Sequence, residues 1–548
     1  MRHYIILLFS IIAFAALSAC NKDILNSQPL ASYSDANVFQ DSALTKLFVS
    51  KLYYGIPSDY DNYTEMLADI TDEAANNRTF EIAYTINALQ YTADNSPYNY
   101  LWTSVGYPSE PMYNYIKDCN TLLENVNNVP ASAALKSRWR GEAYFLRAFF
   151  YHTLYNFFGR FVIINKTLNP ASNDVFAPRS SDADCIQFML TDLDSAASLL
   201  PVKYTGADIG RATRGAAYAL KCRINLYAGN WQAASDAAQE VMKPTYGYGL
   251  FTDYGGIFQP QNDNNIEIIF DKQYIADGSS GQSNQIDWAN APPNMTGRAT
   301  GINDPSENLV SQYEMKDGTP FDWTNPAEAA RPWSNRDPRL EASIVHDSTT
   351  YPNVKSYVSG VPLVDMKVGS AYNPSSRPSV TGYYMKKFAN PSFDFTSSTT
   401  YSGQNYIVLR YAEVLLNYAE AQFKLGNTEE ARKYVNMVRV RNPANPQMPE
   451  IATGNFTWDS YTHERQIELA FEGTRIWDIN RWKIGPQARG SDIYGVVVSG
   501  NNPRTYTKTV VQKGGLDRVW ADKMYLFPIP QIEINKYPGL TLDQNTGW

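Results

Sequence analysis

Residues 212–242 read ATRGAAYALKCRINLYAGNWQAASDAAQEVM, and residues 407–441 read IVLRYAEVLLNYAEAQFKLGNTEEARKYVNMVRVR. Each describes a helix, a tight turn and a second helix. The first runs Ala212 to Ala228, Gly229-Asn230, then Trp231 to Met242; the second runs Ile407 to Leu425, Gly426-Asn427, then Thr428 to Arg441. Glycine ends each first helix because it adopts left-handed backbone without a steric cost. Aligning the two Gly-Asn pairs sets Ala234 opposite Ala431, each four residues past the asparagine, where a small side chain lets helices approach closely. That is the logic of tetratricopeptide-like hairpins. Two copies roughly 200 residues apart predict a helical scaffold interrupted by a long insertion, not a regular array.

Outward from these hairpins the helical period continues. Ala133 to Phe158 places Trp139, Ala143, Leu146, Phe150, Leu154 and Phe157 at spacings of three and four, and stops at Gly159. Ser181 to Leu200 repeats the pattern, with Asp182 or Asp184 near its start. The expected organisation is a leader over 1–19, an N-terminal helical region over 20–243 and a C-terminal region over 244–548, with the two regions packed as one mainly α domain. Within the second, 244–402 is rich in Gly, Pro, Asn, Ser and aromatics, 403–485 is helical, and 486–548 is irregular. The loop-rich insertion has a few strands, such as Ile266 to Phe270. A stretch this long without helical period is expected to be functional or packed on the scaffold. It is read as the functional face.

Met1-Arg2-His3 is cationic, Tyr4 to Ala16 is nearly all apolar, and Leu17-Ser18-Ala19-Cys20 follows. This is a signal peptide in form. Its apolar run falls short of the ~20 residues of a spanning helix, and no other stretch approaches that length. Asn21 to about Gln40 is polar, as a tether would be. The 39 tyrosines, 24 phenylalanines and 11 tryptophans make up 14% of the 548 residues, against 19% charged, with a net charge of −8. That balance excludes a disordered chain and argues against a nucleic-acid partner. Tyrosine joins a flat apolar face to a hydroxyl and suits amphipathic ligands, although most aromatics are expected in the core. Cys119, Cys185 and Cys222 show no Cys-x-x-Cys spacing and read as buried hydrophobes.

Several longer motifs stand out in both halves of the chain. In the first half these are Arg140-Gly141-Glu142-Ala143-Tyr144-Phe145-Leu146-Arg147-Ala148-Phe149-Phe150-Tyr151 and Arg211 to Leu220. In the second they are Leu409 to Leu416 with Ala419-Glu420-Ala421, Glu464 to Gly473 with Arg475, Trp477-Asp478 and Arg481-Trp482, and the closing Leu526-Phe527-Pro528-Ile529-Pro530. Together these motifs resemble the SusD/RagB family of Bacteroidetes outer-membrane lipoproteins, and Leu17 to Cys20 resembles the bacterial lipoprotein box, which implies lipid on Cys20. The resemblance implies a helical domain with four tetratricopeptide-like units, displayed on the cell exterior and anchored in the outer membrane. It implies capture of a glycan or peptide for a SusC-like TonB-dependent transporter, which the lipoprotein covers as a lid.

Glu464, Glu468 and Glu472 recur at i, i+4 and i+8 and would repel one another on one helical stripe without cations. Arg410, Arg439, Arg441 and Arg475 are the candidates. A glycosidase needs two carboxyls flanking a bond from opposite sides, so the stripe reads as a structural ion network with no catalytic residue. His463-Glu464 begins a zinc-protease motif, but Ile467 stands where the second histidine should be. Asp59-Tyr60-Asp61-Asn62 lacks the full calcium-loop pattern and reads as a solvated turn. No metal or cofactor is expected.

The positive signal is in aromatic, amide-rich loops. Sugars stack C–H faces on rings and bond hydroxyls to amides. Tyr91 to Tyr100 is one such loop, and Trp288, Trp323 and Trp333 lie amid Asn, Asp, Gly and Pro in the insertion. The expected site is an exposed platform built by both segments from Tyr91, Tyr98, Trp288, Trp323 and Trp333, with Arg78, Asn95 or Asn99 as polar partners. Each tryptophan is either a binding anchor or a clamp holding its loop to the body. Trp102, heading a stretch through Tyr113, Ile116 and Asn120, reads as packing. Because these loops are not charged, a glycan is favoured over a peptide. A surface hydrolase and a purely structural lid are the remaining alternatives.

Overall fold

A computed structural model describes residues 35–60, 65–76, 82–104, 110–169, 177–278, 282–293, 299–351, 363–397 and 399–548. The leader, Cys20, the tether to residue 34 and Arg78 lie outside them. Among the described residues ten helices reach eight residues. These are α1 Ser42–Leu52, α2 Met112–Asn125, α3 Ala133–Phe158, α4 Asp182–Leu199, α5 Arg214–Tyr227, α6 Trp231–Val241, α7 Tyr411–Lys424, α8 Thr428–Val440, α9 Trp458–Glu468 and α10 Arg475–Trp482. Local chemistry sets their ends. Ser132 and Ser181 cap α3 and α4 with their side chains, and Thr457 and Ser460 form a reciprocal capping box on α9. Gly159 ends α3 at φ 71°, and Gly229 and Gly426 turn the two hairpins at φ 76° and 87°.

Helices α2 to α7 pack in succession, and α7 continues the stack into α8 and α9. The insertion therefore leaves the stack between α6 and α7 without breaking it. Ala234 of α6 is fully buried against Leu226 and Ala421, and Gln422 donates to Ser235 Oγ at 2.8 Å. The close approach expected at the small residue thus joins one hairpin to the other. Cys119, Cys185 and Cys222 are buried and free. The stripe from Trp139 to Phe157 lies wholly in the main core. No helix among the described residues is long and apolar enough to cross a membrane.

Residues 407–410 correct the start of the second hairpin. They form strand β6, Tyr406–Arg410, antiparallel to β2, Ile268–Lys272, with Phe270 opposite Leu409. The run Ile-Val-Leu favours an extended chain, and pairing ties the beginning of the insertion to its end. The other strands are short pairs: β1 Ala74–Ala75 with β3 Asp304–Pro305, and β4 Ile344–Val345 with β5 Tyr384–Met385. The C-terminal segment is more regular than expected. Ile493–Ser499 (β7) and Thr505–Gln512 (β8) make an antiparallel hairpin. The tether also ends earlier than Gln40, because Asp35–Val38 is helical and Phe39 is buried against Phe48 at 5.3 Å.

The insertion has two cores of its own. One gathers Tyr254, Phe258, Leu309, Tyr313, Trp333 and Leu340 with Ile467 and Phe471 of the scaffold side. The other gathers Trp288, Val345, Tyr351, Tyr384, Phe393 and Phe395. Of Asp59 to Asn62, read as a solvated turn, Asp61 and Asn62 lie outside the described residues, and Tyr60 departs from the reading: it is buried in the first of these cores, edge-on to Phe388 at 5.4 Å and Tyr406 at 5.0 Å.

Candidate functional site

The insertion is fastened to the scaffold by a buried ion network. Arg339 donates to Glu464 at 2.5 Å, to Glu468 at 3.1 Å and to Asp337 at 2.8 Å. Arg410 donates to Glu267, Glu468 and Glu472, with contacts of 2.6 to 2.7 Å. Arg441 bonds Glu267 at 2.6 Å and also Glu468, while Arg439 bonds Glu464 at 3.0 Å and also Glu314. Lys387 donates to Glu472 at 2.7 Å. Sequence reasoning missed Glu267, Arg339 and Lys387, which reach the site from the insertion. The signal for Arg339 lay in Asp337-Pro338-Arg339, where an Asp cap followed by proline opens a short helix.

Two expectations need correction here. The helix α9 ends at Glu468, and Phe471 and Gly473 take positive φ, so Glu472 stands off the helical stripe. Arg475 does not serve these glutamates: it opens α10 and pairs with Asp72 at 2.6 Å. The network reading itself agrees with the geometry. Burial disfavours the charged form of Glu468, yet Arg441, Arg410 and Arg339 outweigh it and hold its carboxyl well below the ordinary carboxylate range. Glu464 and Glu472 are lowered in the same way, against burial, by Arg339 with Arg439 and by Arg410 with Lys387. Burial draws Lys387 down to about 8. Each of these three carboxylates is buried and engaged by at least two fixed cations.

These shifts set an acid profile. A depressed carboxyl contributes stability that is present above its ordinary value of 4.5 and lost as pH falls below it. Asp287 and Glu73 act oppositely, because burial raises them to about 7 and about 8, and the fold gains as they take up protons. The melting temperature should therefore rise slightly from pH 8 towards 5 and fall steeply below about 4.5. Circular-dichroism melts across that range check it; a protein equally stable at pH 3 and pH 6 would contradict the network's role.

The aromatic residues expected to form one platform are held in three separate cores. Tyr91 is buried in the main core, 4.8 Å from the Trp548 ring and 5.7 Å from Phe527. Tyr98 packs on Phe157 and Phe527 at 4.7 and 4.8 Å. Asn99 is buried and donates to Ala93 O at 3.0 Å, while Asn95 is exposed and accepts from Thr92 N at 2.7 Å. Trp288 is 0% exposed, edge-on to Phe393 and Phe395, with its indole N–H on Thr400 O at 2.9 Å. Trp333 stacks on His346 at 4.5 Å and meets Tyr506 edge-on at 4.7 Å. Trp323 alone of the three is only half-buried, its N–H bonded to Glu307 at 2.7 Å. Trp102 packs on Tyr113 and Phe158, as expected.

Phe321, which sequence reasoning passed over, meets Trp323 perpendicularly at 5.4 Å, and one of its faces rests on the Arg336 guanidinium at 3.9 Å. The spacing Phe321-Asp322-Trp323, two rings in one loop, was the available signal. Beside this pair a cleft of about 630 Å³ follows the seam between 311–321 of the insertion and 439–463 of the scaffold. Pro320 and Phe321 form one wall, and Pro449 and Ile451 the other. Its volume is that of a small-ligand site.

Comparison with known proteins fits this architecture. The SusD family matches residues 266–548, and a family described as starch-binding and associating with the outer membrane matches residues 30–226. A SusD-like protein of Formosa agariphila is 24% identical over 508 residues, covering 87% of this chain and 90% of that one. Among solved structures, a SusD-like protein from Bacteroides fragilis NCTC 9343 is 29% identical with a TM-score of 0.81, covering 95% of this chain and 100% of the other. A SusD-like carbohydrate binding protein of the same strain is 24% identical with a TM-score of 0.77, covering 92% and 99%. The helical stack, the seam and the order of the two matches converge on one assignment: the chain belongs to the SusD/RagB family.

Proposed function

We propose that the protein is a lipid-anchored, surface-exposed binding protein that captures a glycan and passes it intact to a SusC-like TonB-dependent transporter. The observation that carries this reading is the ordered family match over both halves of the chain, one half under a starch-binding description. The name of the B. fragilis carbohydrate binding relative points the same way. The chemistry agrees: Glu464, Glu468 and Glu472 are committed to cations, and partly accessible rings lie beside a ligand-sized cleft on the insertion. In this reading Trp323, next to the cleft-lining Phe321, anchors a sugar. Trp323→Ala should weaken binding by about 2 kcal/mol, roughly thirtyfold, with the fold retained. Titration calorimetry beside a thermal melt separates this from a clamp, which would lower the melting temperature and spare affinity.

Affinity electrophoresis against a polysaccharide panel, with a peptide panel alongside, tests the ligand class. Retardation by at least one glycan and by no peptide is expected; the converse would replace the glycan by a peptide. Membrane attachment rests on Cys20. Cys20→Ala should leave the protein unlipidated and move it from the outer-membrane pellet to the soluble fraction of cells that lack the transporter. A mutant that stays in the pellet would reveal another anchor.

A further inference from the structure

The cleft beside Phe321 and Trp323 differs from a neutral sugar groove in its charge. Glu314, Asp317, Glu450 and Asp459 line it, with Arg439 as the one guanidinium among its lining residues. Arg439 is buried and already engaged: it bonds Glu464 at 3.0 Å, Pro449 O at 2.7 Å, and Glu314. It has little left to offer an anion. Glu450 and Asp459 are exposed, and among the described residues neither carboxylate has a protein partner. Asp317 is held ionised by hydrogen bonds from the Thr319 hydroxyl and backbone, which lower its carboxyl.

The walls of the cleft are fixed. Lys316 donates to Gln447 O at 2.6 Å and His463 meets Gln312 O at 2.7 Å, both across the seam. At Gly318, φ 86°, a Cβ would come within 3.0 Å of Pro449, so the two sides meet there with no room for a side chain. Phe321 is seated on Arg336 and cannot swing into the space without losing that contact. A ligand must therefore fit between apolar walls and answer carboxylate acceptors.

Resting on the glycan reading above, we infer that this cleft takes an oligosaccharide bearing protonated amines, of the glucosamine type. It tolerates the neutral N-acetylated counterpart and rejects uronate or sulfated chains. Ring faces would lie along Phe321 and Ile451, and ammonium groups would meet Glu450 and Asp459. Specificity comes as much from repulsion of anions as from attraction of cations. A few exposed ion pairs together amount to on the order of a tenfold preference, and such a preference weakens with salt.

The test is titration calorimetry of the full chain with glucosamine, N-acetylglucosamine and galacturonate oligomers of equal length, at low and at high salt. It is repeated with the double variant Glu450→Gln, Asp459→Asn. The expected order is amine, then neutral, then acid, with about tenfold between the first two, flattened by salt and by the double variant. The two changed side chains are exposed, and thermal melts verify that the variant folds. Equal affinities, a reversed order, or an order that survives the double variant would overturn the inference, while neutral glycans that still bind would leave the glycan reading standing. If no saccharide binds, including every glycan of the panel, both fall together; binding of a lysine-rich peptide in their place would give the cleft to a different ligand class.

Discussion

Glu468→Gln should destabilise the protein by about 3–5 kcal/mol. The amide keeps the volume of the side chain but removes a charge shared by Arg339, Arg410 and Arg441, all buried and none able to reach water. Guanidiniums left without a counter-charge in a low-dielectric setting carry the cost. Since a typical fold is stable by only about 5–15 kcal/mol, the loss is a large fraction of the whole. Because Glu468 couples α9 to Arg339 of the insertion, the insertion and the scaffold should loosen together. Chemical denaturation of variant and parent measures the difference. An unchanged midpoint, or loss of a hydrolytic activity with stability intact, would contradict the structural role.

Trp288→Ala should cost about 3–5 kcal/mol and leave ligand binding in place. The indole is enclosed by Phe393 and Phe395 at 5.3 and 5.5 Å, and its N–H satisfies Thr400 O. Truncation opens a cavity that the surrounding rings, each held by its own contacts, refill only in part. A melt and a titration on the same sample give both quantities. Lost affinity with an unaltered melting temperature would return Trp288 to the binding surface.

These two residues mark where the sequence was legible and where it was not. Helix α3 could be read to its last residue because a continuous apolar period ends at a glycine, and both determinants are local. The two hairpins were legible for the same reason, and the small residues Ala234 and Ala431 announced close helix packing. Trp288 was not legible. Its neighbours lie more than a hundred residues along the chain, in a segment of Gly, Pro, Asn and Ser where nothing local distinguishes a clamp from an exposed anchor. The partners of the glutamates were half legible: Arg410, Arg439 and Arg441 lie in or at the ends of the periodic helices 411–424 and 428–440, but Arg339 and Lys387 come from the insertion, whose path depends on its own two cores. The β7–β8 hairpin was overlooked although Val496 and Val498 alternate with exposed Val497 and Ser499, the ordinary pattern of a half-buried strand.

The central claim, that the protein binds a glycan and returns it unchanged, is tested most directly by incubating it with the polysaccharide that retards it most, then recovering and sizing the ligand by mass spectrometry alongside a calorimetric titration. The account predicts saturable binding with the recovered chain length identical to the input at every time. Progressive shortening of the chain, or saturable binding confined to peptides, would contradict it.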